Sequence, residues 1–219
     1  MNATQQQKDY YEKYWTTGHA QYSGDKQGYA TNLRNWMRSQ LRDLSRTSAI
    51  LEVGCGDGSF TRNLAEHSSR VTAVDISASQ IERNAVALPE IKFLQHDVAQ
   101  PFPFANAAFD VIWCSEVLEH LFDPGFAVRE MQRVLAPGGR LLVTVPYHGV
   151  FKGVLIALFR WDEHFAPGNP HIRFFSRKTL SQLAESAGFV EIKTTTCGMN
   201  KPLRDLIVAT NILLTARKR

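Results

Sequence analysis

The sequence predicts an α/β fold: a doubly wound, Rossmann-like sheet of seven strands, mostly parallel, with an antiparallel hairpin at its C-terminal end. Two observations predict it. Short apolar runs alternate with segments of helical spacing between residues 49 and 145, which is typical of parallel strands joined by helices. The last two apolar runs are separated by only about nine residues, which is too short for a parallel crossover.

Each element follows from a local pattern. Leu33, Met37 and Leu41 recur at the spacing of one helix face, and Ser59 and Ser77 are placed to cap helices. The expected helices are an aromatic one at Tyr10–Trp15 and others at about Tyr29–Arg46, Ser59–His67, 78–87, Phe126–Leu135 (closed by Pro137-Gly138-Gly139) and Lys178–Ala187. The expected strands are Ala49–Val53, Val71–Asp75, Ile91–Gln95, Asp110–Cys114, Arg140–Val145, Val190–Thr196 and Leu206–Thr215.

A chain of 219 residues suits a single α/β domain over residues 1–219. Within it, helices in residues 1–46 are expected to cover a ligand. Residues 146–175 fit no strand or helix of the repeating pattern and are interpreted as an insertion. An insertion of this length at the carboxyl edge of a sheet often forms a lid or a substrate wall.

The charge distribution argues against a nucleic-acid partner. Residues 1–200 carry 20 basic and 20 acidic side chains, so the net charge of +4 comes from the last 19 residues. An excess confined to one end of the chain is not the basic stripe of a nucleic-acid-binding protein. The three cysteines form no CxxC pair, which argues against disulfides or zinc and favours the cytoplasm. The polar start Met1–Asp9 predicts no signal peptide, and the most apolar segment is too short to span a bilayer. A monomer or a homodimer fits equally well.

A glycine-rich turn follows the first strand, at Gly54-Cys55-Gly56-Asp57-Gly58. Gly54 and Gly56 leave no side chain between the backbone and a ligand, and the next helix offers free N–H groups. A dinucleotide fingerprint requires a glycine five residues after Gly54, where Ser59 stands. The spacing therefore favours S-adenosylmethionine over a dinucleotide.

Acidic residues at three strand ends support that ligand. Asp75 closes the second strand, where a carboxylate can accept from both ribose hydroxyls. Asp97 follows the third strand and can accept from an adenine amino group, while the Val98 N–H donates to the ring. Glu52 precedes the turn and is expected to orient the loop and to face the ammonium group of the methionine moiety.

At this point the sequence resembles the class I S-adenosylmethionine-dependent methyltransferases, and most of all the branch of the ubiquinone-biosynthesis O-methyltransferases. The segments that carry the resemblance are Ile50–Gly58, Val74–Ser77, Phe109–Ile112, Cys114–His120, Arg133–Gly139 and Phe174–Phe189. The resemblance implies cofactor contacts from Gly54, Asp75 and the backbone around Ser115, and the matching segments add Cys55 and Ile76. It also implies that Arg34, twenty residues before Gly54, meets the carboxylate of the cofactor.

Three residues after the fourth strand are candidates for the chemistry: Glu116, Glu119 and His120. His120 is the candidate base for a hydroxyl acceptor. The resemblance suggests instead that the three hold a divalent cation that acidifies a hydroxyl, and a third interpretation is that they orient the loop and contact the cofactor. His148, after the fifth strand, is a further catalytic candidate. His164 and His171 lie in the insertion, and Tyr14 and Trp15 could close over the cofactor.

The sequence predicts a methyltransferase that acts on a small molecule, most of all on a hydroxyl of a quinol-like, phenolic, glycan or lipid-linked acceptor. The alternatives are methylation of nitrogen or carbon on the same fold, and a non-catalytic S-adenosylmethionine-binding protein. The apolar stretch at 150–161 has a basic fringe. It could pack on the domain, wall an apolar substrate, or contact a membrane surface from one side.

Overall fold

The computed structural model describes residues 3–16, 29–166, 169–198 and 209–219. The helices in these ranges are α1 Ala3–Thr16, α2 Tyr29–Leu41, α3 Ser59–Ala65, α4 Ala78–Ala87, α5 Pro124–Val134, α6 Val150–Phe159, α7 Trp161–His164 and α8 Arg177–Ser186, with a 3₁₀ turn at Leu118–His120. The strands are β1 Ala49–Val53, β2 Arg70–Asp75, β3 Lys92–Gln95, β4 Phe109–Ser115, β5 Leu135–Pro146, β6 Phe189–Cys197 and β7 Asn211–Lys218.

The sheet confirms the predicted fold class. Its seven strands lie in the order β3-β2-β1-β4-β5-β7-β6. The first five are parallel, whereas β7 pairs antiparallel with both β5 and β6. The strand order reverses between β1 and β4, and the carboxyl ends beside such a reversal form the usual ligand crevice of a doubly wound sheet.

Apolar side chains alternate between the two faces of the sheet and bury two cores. One core joins the sheet to α5 and α8, and its members include Ile112 and Leu141. The other joins it to α2 and α3, and its members include Leu33 and Trp113. Because neighbouring strand residues point to opposite faces, each buried strand supplies both cores, and the rigid layer between them fixes where the strand ends lie.

Several predicted bounds are corrected. Strand β5 begins at Leu135 and not at Arg140, because residues before Gly138 (φ +75°) already pair with β4. Ser59 is the first helical residue of α3, whose cap is Gly58 in a left-handed conformation. Ser77 caps α4 as predicted, since its hydroxyl accepts from the Gln80 N–H at 3.3 Å.

The hairpin and the insertion also differ in detail from expectation. Strand β7 begins at Asn211, and the predicted strand residues 206–208 lie outside the described residues. The insertion contains α6 and α7 and closes on itself, because the His148 N–H donates to the Phe175 carbonyl at 2.9 Å. In the described part of the chain, no helix has the length and apolar character needed to cross a membrane.

Candidate active site

A cavity of about 360 Å³ opens at the carboxyl ends of β1, β2 and β4. Its floor is the turn after β1, and helix α1 forms its roof. The insertion closes one end through three consecutive residues, Asn169, Pro170 and His171. The cavity therefore lies at the reversal of strand order, where the fold class predicts a ligand.

The turn adopts a conformation that requires glycine. Gly54 and Gly56 have φ values of +75° and +48°, a left-handed region that residues with a Cβ rarely adopt. A Cβ on Gly56 would also lie 2.8 Å from the Trp15 ring of α1. The backbone N–H groups of Gly54 and Cys55 donate to the Val74 carbonyl at 2.8 and 3.0 Å, which holds the turn against β2.

Asp75 links this turn to helix α4. Its Oδ2 accepts from the Gly56 N–H at 2.8 Å, and its Oδ1 accepts from the Ser77 N–H at 2.9 Å. The side chain is only 8% exposed and lines the cavity next to Ile76. Burial raises the pKa of Asp75, against the opposing effect of these backbone donors. The carboxylate is thus fixed at the position where the sequence predicts the ribose.

Asp97 carries an unused acceptor. Its Oδ1 accepts from the Ala99 N–H at 2.9 Å, whereas its Oδ2 is buried and has no hydrogen-bond partner among the described residues. Asp97 and the buried Val98 both line the cavity. Since an unpaired buried acceptor is costly, this oxygen fits a ligand that brings a donor such as an amino group.

Glu52 does not line the cavity. It is 1% exposed and lies beneath the turn, where its Oε2 accepts from the Thr61 hydroxyl of α3 at 2.5 Å. Burial raises the pKa of Glu52 to about 8. The side chain of Glu52 thus contacts α3 and lies outside the lining of the cavity, and its predicted orientation of the loop stays a prediction.

Arg34 lies one layer behind the cavity. Its guanidinium carbon is 5.9 Å from the centroid of the Phe60 ring, and Phe60 itself lines the cavity. Contact between Arg34 and a bound carboxylate remains a prediction that requires the arginine to reach past this ring.

Glu116 is held in a strained backbone conformation (φ +55°), of the kind that concentrates at functional sites. Its Oε1 accepts from the Thr144 hydroxyl at 2.8 Å and from the Asn211 side-chain amide at 2.7 Å. Ser115 and Thr144 are joined by a further hydroxyl contact of 2.7 Å. Asn211 reaches this network from β7, a contribution that no local sequence pattern announces.

His120 lies in the cavity with one ring nitrogen engaged. Its Nδ1 donates to the Pro170 carbonyl of the insertion at 3.1 Å, so Nε2 keeps its lone pair in the neutral ring. Burial lowers the pKa of His120 to about 4, with neighbouring His171 adding a smaller effect in the same direction. At neutral pH the ring is therefore an uncharged proton acceptor, as the prediction of a base requires.

Glu119 is the buried neighbour of His120. Its Oε1 lies 3.7 Å from His120 Nε2. It is 1% exposed, and neither carboxyl oxygen has a hydrogen-bond partner in the described ranges. Burial first, and the charge of Glu116 second, raise the pKa of Glu119 well above its usual range. The Glu119 carboxyl is thus a buried acceptor to which none of the described residues donates.

The structure brings together a different group of possible metal ligands from the one that the resemblance suggests. One ligand atom each from Glu119, His120 and His171 lie within 4.8 Å of one another. His171 joins this group, whereas the carboxylate of Glu116 is engaged by Thr144 and Asn211. The unpartnered Glu119 carboxyl and two imidazoles are ligands that a divalent transition metal accepts.

His148 is not among the residues that line the cavity. Its Nδ1 donates to the Pro146 carbonyl at 3.3 Å, and its ring packs 5.2 Å from His164 and 4.8 Å from Phe174. Burial, then the positive charge of Lys152, lower its pKa to about 4. The insertion folds so that His171 reaches the cavity, whereas His148 and His164 form a separate cluster beneath it.

Helix α1 supplies the roof. Tyr14 and Trp15 line the cavity as predicted, together with Gln7 and Tyr11, which sequence reasoning missed. Tyr11 packs edge-on against His120 at 5.8 Å, and the Gln7 amide donates to the His120 carbonyl at 3.1 Å. The run of tyrosines was the available signal, but only the docked helix shows which ones turn inward.

Glu12 fastens that roof to the domain. Its carboxylate accepts from the Ala78 N–H at 2.5 Å and from the Ser77 and Ser79 hydroxyls at 3.0 and 2.6 Å. These donors stand at the N-terminus of α4, where a negative charge is favoured. We call this set of contacts the Glu12 latch.

Comparison with known proteins identifies the relatives of this chain. A family model described as a methyltransferase domain matches residues 29–194. Over 160 residues, the chain is 31% identical to a probable S-adenosylmethionine-dependent methyltransferase of Mycobacterium tuberculosis, covering 72% of this chain and 54% of that protein. It is 32% identical over 147 residues to a ubiquinone biosynthesis O-methyltransferase of Coxiella burnetii, covering 64% of this chain and 62% of that one.

Solved structures agree on the fold. A methyltransferase from Thermotoga maritima, described as a possible histamine N-methyltransferase, superposes with a TM-score of 0.71 at 19% identity, covering 96% of this chain and 99% of the other. The chain spans about half the length of the mycobacterial relatives that it matches.

Proposed function

This chain belongs to the methyltransferase-domain family, and from that premise we propose that it transfers a methyl group from S-adenosylmethionine to a hydroxyl of a small-molecule acceptor. One observation carries the proposal. The cavity over the glycine turn joins the fixed carboxylate of Asp75 to the unpaired Oδ2 of Asp97. A nucleoside with a vicinal diol and an amino group would bring hydroxyl donors to the remaining lone pairs of Asp75 and an N–H donor to the unpaired Oδ2 of Asp97.

In this arrangement Asp75 would accept from the ribose hydroxyls and Asp97 from the adenine amino group, while the Val98 N–H would donate to the ring. Ile76 would pack beside the adenosine. The turn around Gly54 and Cys55, together with the backbone at Ser115, would hold the methionine moiety, and Arg34 would reach its carboxylate.

The transfer itself is an in-line displacement. A lone pair of the acceptor oxygen forms the new C–O bond as the C–S bond breaks, and its electrons return to sulfur to give S-adenosylhomocysteine. The hydroxyl proton passes to His120 Nε2, whose lone pair is available because Nδ1 donates to Pro170. Glu116 is proposed to shape this end of the cavity through its bonds to Thr144 and Asn211. The roof formed by α1 excludes water from the reaction.

A second arrangement is favoured by one observation, the convergence of Glu119, His120 and His171. A divalent cation held there would lower the pKa of a bound acceptor hydroxyl. Nitrogen or carbon methylation and non-catalytic cofactor binding are the other functions that the same cavity allows. The relative from Coxiella is named for O-methylation, which supports the hydroxyl acceptor. We propose that the protein acts in the cytoplasm on a small molecule, as a monomer or a homodimer.

Calorimetry with the purified chain tests the cofactor site. We expect S-adenosylmethionine to bind and NAD not to bind. Asp75→Asn should weaken the affinity at least about a hundredfold, because two hydrogen bonds to a charged group are lost. The matched control is Asp43→Asn, an exposed carboxylate that pairs with Arg140 away from the cavity. Equal affinity in the wild type and Asp75→Asn would disprove the assignment.

A radiolabelled-methyl screen tests the acceptor. Catechols and quinols are offered beside primary amines and activated carbon acids, each with and without a chelator. Label in an ether product that survives chelation supports O-methylation with His120 as base. Loss of that product on chelation identifies the metal arrangement, and label confined to amines or carbon overturns the hydroxyl acceptor.

A further inference from the structure

The insertion exposes an unusual amount of apolar surface. The side chains of Val150, Leu158 and Phe159 are 88%, 68% and 75% exposed. No residue of α6 is buried. The same surface continues through Phe151, Val154, Trp161, Phe165, Ile172 and Phe174, all exposed. We call the residues named in this paragraph the apolar patch.

Helix α6 is apolar on every side, in contrast to an ordinary surface helix. Its sequence, VFKGVLIALF, has one charged residue in ten. A helix of this kind is normally buried in a core or in a membrane, and contiguous exposed apolar surface of this extent marks an interaction site. Within the described ranges, no side chain of α6 is buried against the rest of the protein.

The charged residues around α6 indicate which class of partner the apolar patch fits. Between residues 147 and 178 five side chains are basic and two are acidic, Asp162 and Glu163. Arg160, at the end of α6, pairs with Glu163. Lys152 lies near the start of α6, and Arg173 adds a cation beside Phe174. A protein surface that is apolar in the middle and basic at its margins complements a bilayer with anionic headgroups. Trp161 also has the amphipathic ring that is favoured at the membrane–water boundary.

We propose that the apolar patch docks this chain onto the surface of an anionic lipid bilayer. The ten residues of α6 extend roughly 15 Å at 1.5 Å per residue, about half the hydrocarbon thickness of a bilayer. Helix α6 therefore enters a single leaflet and lies at the boundary between headgroups and acyl chains. Lys152 and Arg173 meet lipid phosphates.

The docking surface and the cavity belong to one insertion. Its residues 169–171 line the cavity, and the Pro170 carbonyl orients His120. Docking through α6 thus brings the acceptor end of the cavity next to the lipid phase. This step rests on the proposed function and specifies its substrate class: the acceptor is a lipophilic hydroxyl compound that partitions into the bilayer.

Vesicle co-sedimentation of the full chain tests the docking. The probes are vesicles of phosphatidylcholine alone and of phosphatidylcholine mixed with phosphatidylserine. We expect sedimentation with the mixed vesicles and much less with the neutral ones. Replacing Leu158 and Phe159 together by glutamate should lower binding to mixed vesicles at least about tenfold, because apolar contact is lost and negative charge is added. Val86→Glu is the matched control, since Val86 is 85% exposed on α4.

Two results would overturn the proposal. One is an absence of binding to both kinds of vesicle. The other is a wild-type dimer, seen by analytical ultracentrifugation, that the Leu158/Phe159 variant dissociates, because the patch would then face a second copy of the chain. Calorimetry with S-adenosylmethionine is run on the same variants and should be unchanged. The two experiments are therefore independent: a failure of membrane docking leaves the proposed cofactor site intact, and a failure of cofactor binding leaves the docking proposal intact.

Discussion

Helix α1 lines the cavity, and helix α6 belongs to the insertion whose residues 169–171 line it, yet the surroundings of the two helices are opposite to what their sequences suggest. Helix α1 is rich in glutamine and tyrosine, with four charged residues in fourteen, and it is docked on the domain by the Glu12 latch and by Gln7. Helix α6 is almost wholly apolar and buries none of its residues. Polarity alone therefore does not decide which helix is held.

The difference shows what fastens a helix at the edge of this sheet. Helix α1 finds matched partners: the N–H and hydroxyl donors of α4 for Glu12, and the His120 ring for Tyr11. Helix α6 could be held only by an apolar face, and both faces of the sheet are already covered by α2, α3, α5 and α8. The docked helix covers the cavity, whereas no described residue buries a side chain of α6.

His120 stands where the two regions meet. The α1 side contacts it through Gln7 and Tyr11, and the insertion contacts it through Pro170 and His171. A mutation of His120 thus tests the residue that both regions contact. The remaining mutations test either the docked helix α1 or the exposed helix α6.

The largest expected effect follows from His120→Ala. Loss of the base should lower kcat about 10²- to 10⁴-fold for a hydroxyl acceptor, while the affinity for S-adenosylmethionine changes little. Because the pKa of His120 is lowered to about 4, the wild-type rate should be flat around neutral pH and fall as the pH drops through about 4, where the ring becomes protonated. Steady-state kinetics across pH check both expectations. His67→Ala is the control, and an unchanged kcat in His120→Ala would exclude the base role.

Two leucines allow the stability effects of a buried and an exposed side chain to be compared. Leu33 of α2 is fully buried and Leu158 of α6 is 68% exposed. Leu33→Ala should reduce the free energy of unfolding by about 2–5 kcal/mol, whereas Leu158→Ala should change it by less than about 0.5 kcal/mol. Urea unfolding measures both. A large loss in Leu158→Ala would mean that α6 packs against the protein, and the contrast with α1 would disappear.

The Glu12 latch predicts a smaller effect on ligand binding. Glu12→Gln should weaken the affinity for S-adenosylmethionine by about tenfold, because charge-assisted bonds to α4 are lost and the roof loosens. Asp9→Asn, whose side chain bonds only the exposed Gln5 of the same helix, should bind like the wild type. Calorimetry distinguishes them, and equal affinities would show that α1 is not fastened through Glu12.

The latch also has a defined pH dependence. Burial would raise the pKa of Glu12, but the bonds from Ser79, Ser77 and Ala78 outweigh it and the pKa is lowered. Because the pKa of Glu12 is lower in the folded protein, its ionised carboxylate stabilises the fold fully above the ordinary pKa of 4.5. This stabilisation is lost as the pH falls through the pKa that Glu12 has in the folded protein. Quenching of tryptophan fluorescence on a mild acid titration, absent in Glu12→Gln, is the expected sign.

The smallest expected effect concerns Trp15, whose ring lies against Gly56. If the ring contacts the sulfonium, Trp15→Leu should weaken S-adenosylmethionine by about two- to fivefold through loss of a cation–π contact. S-adenosylhomocysteine has no such charge, and its affinity is the internal control. An equal loss of affinity for both ligands would show that Trp15 only packs against the turn and makes no contact with the sulfonium.

The sequence by itself determined the fold class, the glycine turn and the strand-end acids Asp75 and Asp97. These features are local: a glycine, a strand and an acidic residue lie within a few positions of one another, and the carboxyl ends of parallel strands meet at one edge of the sheet. Spacing along the chain therefore becomes proximity in space. The same reasoning placed His120 at that edge.

Only the tertiary structure decided how side chains from distant segments meet. Gln7 and His120 are 113 residues apart, Glu116 and Asn211 are 95 apart, and His120 and Pro170 are 50 apart. The same long-range packing turned Glu52 under the turn, drew His171 and not His148 into the cavity, and left α6 exposed. A strand or helix pattern shows that a side chain has an inner and an outer face. Which neighbour occupies that face depends on contacts across the whole chain, and those contacts exist only once it has folded.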